Sequence, residues 1–158
     1  MASRKSDRPQ AGVVENAEAV VTARPVLYLD IIGTIVLQEG ASFRMVPFAR
    51  EFIRELGGRF RLVFLTELSE MAAREIANLL ETEVEYAPYR KGLGKVSGID
   101  FSRSFLWVDD APTSRDLMRL AEERCSGQLI TVNGRDGVTR TTLNKVEACL
   151  EEMSLTRS

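Results

Sequence analysis

Five short apolar runs alternate with helical patterns along this chain, and this alternation restricts the fold more than any other feature. The runs are nearly continuous in apolar residues, which is typical of strands that are covered on both faces of a sheet. Strands that alternate with helices predict right-handed crossovers and a parallel sheet. The runs are PVLYLD (25–30), RLVFLT (61–66), TEVEYA (82–87), SFLWVDD (104–110) and QLITVN (128–133).

Four helices are predicted between and after these runs, at 47–56, 70–81, 114–124 and 140–152. The second follows Ser69 as N-cap, and the third follows Thr113, which would form a capping box with Asp116. The spacing in the second helix places four apolar residues on one face: Ala72, Ile76, Leu79 and Leu80. We therefore predict an α/β fold, a three-layer αβα sandwich around a parallel five-stranded sheet. It would form one domain over 25–153, between a flexible extension at 1–24 and a tail at 154–158.

Composition limits the classes of partner. With 158 residues, of which 44% are apolar, the chain is long enough for one domain with a substantial core. A formal net charge of -2 does not indicate nucleic acid or an anionic membrane as partner. The sequence has no apolar run of about 18 residues, as a membrane span requires, and no continuous apolar stretch of a signal peptide. A cytoplasmic location is therefore expected.

The chain contains no histidine. This excludes Ser-His and Cys-His nucleophile pairs and every imidazole metal site. Cys125 and Cys149 have no metal-ligand spacing, so we predict two unpaired thiols in or beside helices. The remaining groups for chemistry are carboxylates, hydroxyls, amines and the backbone.

Several polar residues follow the predicted strands directly or lie in the loops just beyond them. Taken one at a time, they have structural explanations as an Asx-turn residue, a helix cap or a solvated lysine. The crevice outside the carboxyl ends of parallel strands is, however, where ligands bind in open α/β sheets. Their joint occurrence therefore predicts one functional site made of Asp30, Thr66, Lys91 or Lys95, and the Asp109-Asp110 pair.

The order of these residues resembles the four motifs of the haloacid dehalogenase superfamily. Those motifs are a strand ending in DxDGT, a strand ending in Ser or Thr, a lysine, and a strand ending in an acidic pair. Here they are LDIIGT, VFLT, RKGLGK and LWVDD, and the resemblance spans about residues 25–150. The segment KGLGKVSGIDFSRSFLWVDDAP is similar to capless phosphatases that act on protein tails. The ending QLITVNGRDGVTRTTLNKVEACL is similar to superfamily modules found with RNA-repair proteins.

The resemblance implies a Rossmann-like fold and a role for each matched residue. Asp30 would attack phosphorus and form an aspartyl-phosphate, and Thr66 would bind a phosphoryl oxygen. Lys91 is favoured as the motif lysine, because the family lysine usually precedes the short helix before the fourth motif, and Lys95 is the alternate. Mg²⁺ would be held by oxygen atoms of four residues: Asp30, the Ile32 carbonyl, Asp109 and Asp110.

Ile32 departs from the family pattern. The family has a second Asp at this position, whose side chain protonates the leaving group and then activates water. The resemblance with this change implies a Mg²⁺-dependent phosphatase or phosphotransferase that is impaired at the acid/base step. The alternative is an inactive binding module that retains a phosphate and metal pocket. Dehalogenases also lack this Asp, but they have an aromatic residue there and need no Mg²⁺, whereas this chain keeps Asp109-Asp110.

No cap domain is predicted. About 13 residues separate Thr34 from Phe48, and Lys91 follows Tyr86 closely, so neither place where family members insert a lid has room for one. An open crevice suits a macromolecular phosphorylated substrate, a partner protein that acts as the lid, or no catalysis.

Overall fold

The computed structural model describes residues 24–155. Almost all of the predicted N-terminal extension, and the last three residues of the tail, lie outside the described residues. Three short 3₁₀ turns occur at Lys91–Leu93, Lys95–Gly98 and Ser126–Gln128. The other elements are β1 (Val26–Leu29), β2 (Val36–Glu39), β3 (Ser42–Met45), α1 (Ala49–Leu56), β4 (Arg61–Phe64), α2 (Glu70–Leu79), β5 (Glu85–Tyr86), β6 (Phe105–Asp109), α3 (Ser114–Glu122), β7 (Leu129–Thr131) and α4 (Arg140–Leu155).

The main sheet has five parallel strands in the order β5-β4-β1-β6-β7, which confirms the predicted fold class. The chain first builds outward from β1 through β4 to β5 and then returns to place β6 on the other side of β1. Strand order therefore reverses at β1, and a crevice opens at such a point, outside the carboxyl ends of the strands. Asp30 is the first residue after β1.

The helices cover both faces of the sheet, as predicted. Successive residues of β1 point to opposite faces, so Leu27 and Leu29 belong to one core and Val26 and Tyr28 to the other. The larger core contains apolar residues of α1, α2 and α4, whereas the smaller contains Leu120 of α3 and Val96 of the second 3₁₀ turn. Both faces of the central strands are buried, which explains their uninterrupted apolar sequence.

An antiparallel hairpin of β2 and β3 follows the Gly33 turn and was not predicted. Its strands are four residues each, and its second strand is largely exposed. The sequence of the hairpin has no clear alternation of apolar and polar residues, because only one end of the hairpin is buried. Within residues 24–155 the hairpin is the only insertion after β1, and no cap domain is evident.

The predicted caps are present at Ser69 and at Thr113 with Asp116. The predicted face of α2 is confirmed at Ile76 and Leu80, which pack in the larger core, but it is wrong at Leu79, which is 57% exposed. Ala73 and Ala77 are the buried residues within the helix itself. The last helix continues to Leu155, past the predicted end at 152. None of the helices between Arg24 and Leu155 is both long and apolar enough to cross a bilayer.

Candidate functional site

Asp30 and Asp109 lie at the carboxyl ends of two neighbouring strands of the sheet. Asp30 directly follows β1, and Asp109 is the last residue of β6. The Asp30 backbone N–H donates to the Val108 carbonyl at 3.0 Å, so β6 holds the backbone at the end of β1 in place. Asp109 is the last residue of β6 and is completely buried, and Asp30 is 4% exposed. Their side chains therefore meet in a nearly dry crevice at the carboxyl edge of the sheet.

Lys95 joins these two carboxylates. Its Nζ lies 2.8 Å from Asp30 Oδ1 and 2.8 Å from Asp109 Oδ2, and its side chain is only 11% exposed. Lys91 is exposed and lies in the preceding 3₁₀ turn. The structure thus brings Lys95, the alternate in the sequence analysis, to the two carboxylates and leaves Lys91 outside this group. The turn Lys95–Gly98 is itself the short helix before β6, and its lysine is the first residue of that helix instead of preceding it.

Asp116 fixes the turn that carries Lys95, a role that the sequence did not reveal. Its Oδ2 accepts from the N–H and the hydroxyl of Thr113 in the capping box, and its Oδ1 accepts from the Val96 N–H at 3.2 Å. A Cβ on Gly94 would lie 2.5 Å from Asp116 Oδ1, so this close approach requires glycine. A cap signal in the sequence therefore also marked the residue that positions Lys95.

One ammonium faces two buried carboxylates, and the pKa values reflect this imbalance. Burial and then the Asp109 carboxylate raise the pKa of Asp30 to about 8, against the opposing effect of Lys95. Burial also raises the pKa of Asp109, with Lys95 again opposing. Burial acts to lower the pKa of Lys95, but the two carboxylates outweigh it and raise that pKa above its ordinary value. The lysine therefore stays charged, and the site attracts further positive charge.

Asp110 completes an acidic group and is packed closely by two glycines. A Cβ on Gly33 would lie 2.3 Å from Asp110 Oδ2, and a Cβ on Gly134 would lie 2.6 Å from the same atom. Gly33 also has a φ of +84°, a conformation that other residues rarely adopt. The loops after β1 and β7 thus leave room for this carboxylate only because they carry glycine.

Thr66 lies two residues beyond β4, the strand that pairs with β1, and is 2% exposed. Its Oγ1 accepts from the Leu68 N–H at 3.2 Å. Ile32 is half-buried, packs against the larger core and forms a backbone bridge with Val36. Thr34 is completely buried, and among the described residues its Oγ1 has no hydrogen-bond partner.

The donor set fits a hard divalent cation such as Mg²⁺. Carboxylate oxygens of Asp30, Asp109 and Asp110 lie within 4.8 Å of one another, which is the only such acidic group found among residues 24–155. Carboxylate oxygens are the ligands that Mg²⁺ prefers. A cation there would favour the ionised form of Asp30, whose pKa is raised first by burial and then by the Asp109 carboxylate.

The fold and the site define a class: a three-layer α/β domain with a buried lysine and an acidic group at the switch point of its parallel sheet. No protein-family model matches the sequence, and no curated protein matches it. Solved structures do match. Fcp1, described as an essential RNA polymerase II CTD phosphatase, is 16% identical, with a TM-score of 0.44 and coverage of 87% of this chain and 52% of that chain.

Two further structures are similar at the same level. A variant of fission yeast Fcp1 bound to beryllium fluoride is 16% identical, with a TM-score of 0.43 and coverage of 75% of this chain and 44% of that chain. A hypothetical protein from Xanthomonas campestris is 16% identical, with a TM-score of 0.49 and coverage of 99% of this chain and 98% of that chain. This chain spans about half the length of the Fcp1 chains. Because these identities and TM-scores are low, function is inferred from the chain's own residues.

Proposed function

We propose that this chain is a Mg²⁺-dependent phosphatase or phosphotransferase of the haloacid dehalogenase type, acting through an aspartyl-phosphate on Asp30. The observation that carries the proposal is the contact of Lys95 with both Asp30 and Asp109 at the carboxyl ends of neighbouring strands. This arrangement unites the first, third and fourth sequence motifs in one buried crevice. The second motif residue, Thr66, lies two residues beyond β4, the strand on the other side of β1.

Asp30 supplies the nucleophile. One of its carboxylate oxygens forms a bond to phosphorus while the bond from phosphorus to the leaving oxygen breaks. Lys95 holds the attacking carboxylate by a 2.8 Å contact and neutralises charge on the transferring group. The Thr66 hydroxyl, whose oxygen accepts from Leu68, keeps its proton for a phosphoryl oxygen.

Asp30, Asp109 and Asp110, with the Ile32 carbonyl, would hold Mg²⁺. The ion would stabilise negative charge on the phosphoryl oxygens. Asp109 is fixed for this task because its Oδ1 accepts from the Ala111 N–H at 2.9 Å while Oδ2 contacts Lys95. The packing of Gly33 and Gly134 fixes Asp110 in the same way.

The acid/base step is the weak point of this proposed enzyme. Ile32 has no proton to donate, and positioned acid/base groups typically contribute about 10² to 10⁴-fold. That factor corresponds to about 3 to 5 kcal/mol of activation free energy. Substrates with good leaving groups need less protonation, so they should react best.

Ile32 also favours a second candidate function, a binding module without turnover. The half-buried Ile32 side chain packs against the core while the lysine and acidic residues keep their mutual contacts. Such a module would bind Mg²⁺ and a phosphoryl group and release them unchanged. The two functions differ only in whether phosphorus is transferred to Asp30.

The absence of a cap among the described residues supports a macromolecular substrate. Within residues 24–155 the only insertion after β1 is the short β2–β3 hairpin, so a phosphorylated side chain on a larger molecule would reach Asp30 without a lid movement. A partner protein could serve as the lid in the same place.

A hydrolysis assay tests this proposal. The full chain is incubated with an aryl phosphate, with and without Mg²⁺, beside the Asp30→Asn variant. Activity that requires Mg²⁺ and disappears in Asp30→Asn supports the enzyme. Equal background in both proteins, together with Mg²⁺-dependent binding of a phosphate mimic, supports the binding module.

A further inference from the structure

A cavity of substantial volume lies outside the acidic site. It is a groove of about 610 Å³ between α3 and the two 3₁₀ turns at 91–98. Two of its apolar side chains are strongly exposed, Leu93 at 50% and Met118 at 64%. The apolar lining consists of Leu93, Val96, Ile99, Phe101 and Met118. Exposed apolar side chains that are grouped along one groove mark a candidate docking surface.

The residues that line this groove include one more positive than negative side chain. Arg115, Arg119 and Glu122 line it. Arg115 donates to the Gly92 carbonyl rather than to a carboxylate, and the Arg119 guanidinium lies 5.4 Å from the centre of the Phe101 ring. A Glu123 carboxylate oxygen lies 3.0 Å from the Arg119 guanidinium and partly offsets its charge. An apolar segment with acidic residues is therefore the complementary ligand.

The sequence before Arg24 contains such a segment. Residues 13–21, VVENAEAVV, combine four valines with Glu15 and Glu18 and include no basic residue. The chain enters the sheet beside the groove: the Val26 N–H donates to the Ser104 carbonyl, and the adjacent Phe105 ring lies 5.7 Å from the Phe101 ring of the groove. An extended chain spans at most about 3.5 Å per residue. Arg24 lies eleven positions after Val13, which allows a span of about 38 Å between them.

We propose that residues 13–21 of this same chain dock in the groove between α3 and the 91–98 turns. Valine side chains would cover the apolar lining, and Glu15 and Glu18 would approach Arg115 and Arg119. The second described cavity, beside Arg24, is lined by charged residues such as Arg54, Arg61 and Glu83 and suits the valines less. Because Val96 directly follows Lys95, a docked segment would contact the turn that carries the site lysine. The proposal does not depend on the proposed phosphoryl transfer.

Disulfide trapping in the full chain tests the docking. In a background with Cys125→Ser and Cys149→Ala, one cysteine is introduced at Val14, Ala17 or Val20 and a second at Met118. The matched control pairs the same segment positions with Met71→Cys, since Met71 is an equally accessible methionine, 75% exposed, on α2. The intramolecular disulfide is measured at equilibrium in a glutathione buffer, which gives the effective concentration of the two thiols.

We expect at least one segment position to pair with Met118→Cys at an effective concentration about 10-fold or more above its Met71→Cys control. The joint change Arg115→Glu and Arg119→Glu should remove this preference, and adding Glu15→Arg and Glu18→Arg should restore it. Excess synthetic peptide 10–23 should compete, whereas a scrambled peptide should not. Equal trapping at Met118 and Met71 at all three positions would overturn the proposal. Disulfides formed only between molecules would overturn it too, and would assign the groove to a second copy.

Discussion

The Lys95 ammonium lies 2.8 Å from an Asp30 carboxylate oxygen, although 65 positions separate the two residues in sequence. The same nitrogen lies 2.8 Å from Asp109, so one buried cation joins the ends of β1 and β6. Removing one partner of a buried ion pair leaves uncompensated charge, which is strongly destabilising. This lysine therefore supports both the fold and the site.

Lys95→Met should lower the free energy of unfolding by about 3 kcal/mol, because the Asp30 and Asp109 carboxylates would then repel each other without a counter-ion. Lys91→Met is the matched control, since the exposed Lys91 should change stability by no more than about 0.5 kcal/mol. Urea unfolding of both variants measures the difference. Equal losses in the two variants would show that Lys95 has no special place in the fold.

Gly33→Ala should disturb metal binding, because the new Cβ would collide with Asp110 Oδ2 at 2.3 Å. Gly40→Ala is the control: its φ is also positive, +60°, but nothing lies within 4 Å of the new Cβ. Both changes should cost about 1 kcal/mol of backbone strain. Only Gly33→Ala should also reduce the rise in melting temperature caused by Mg²⁺ with vanadate as phosphate mimic. An undiminished rise in Gly33→Ala would argue against Asp110 as a ligand.

Two buried threonines should respond in opposite directions to replacement by valine. Thr34→Val removes a hydroxyl without a partner among the described residues, and should stabilise the protein by up to about 1 kcal/mol. Thr66→Val removes the acceptor of the Leu68 N–H and should destabilise it by about 1 kcal/mol. Chemical unfolding compares the two. A loss of stability in Thr34→Val as large as in Thr66→Val would show that the Thr34 hydroxyl has a partner in solution.

The sequence predicted the sheet, and it predicted that Asp30 and Asp109 lie close together, because both depend on local signals. Continuous apolar runs mark strands that are buried on both faces. Asp30 and Asp109 lie at the ends of neighbouring parallel strands, so the conformation of the loops does not affect their proximity. Local sequence could not decide which of Lys91 and Lys95 contacts the carboxylates. The position of Lys95 depends on a distant residue, because Asp116 of α3 holds the turn by accepting from the Val96 N–H. The β2–β3 hairpin was missed because its exposed second strand carries no apolar pattern.

Ile32→Asp should increase hydrolysis of aryl phosphates by about 10-fold or more. The gain should stay below the full 10² to 10⁴ range, because no surrounding residues have evolved to orient the new carboxylate. It should be largest for poor leaving groups, which most need protonation. Ile32→Asn is the matched control, since its amide has a similar shape but cannot shuttle a proton. A folded Ile32→Asp protein that binds Mg²⁺ but hydrolyses nothing would favour the binding module.

The central claim is that phosphorus is transferred to the Asp30 carboxylate, and trapping that bond tests it most directly. Wild-type chain is incubated with Mg²⁺ and an aryl phosphate, quenched and reduced with borohydride, which converts an aspartyl-phosphate to homoserine; peptide mass spectrometry then examines position 30. Because Ile32 cannot activate water, the phosphorylated form should accumulate, and homoserine should appear at position 30 only when Mg²⁺ is present. Unmodified Asp30 under conditions where Mg²⁺ and the phosphate mimic are bound would contradict the claim.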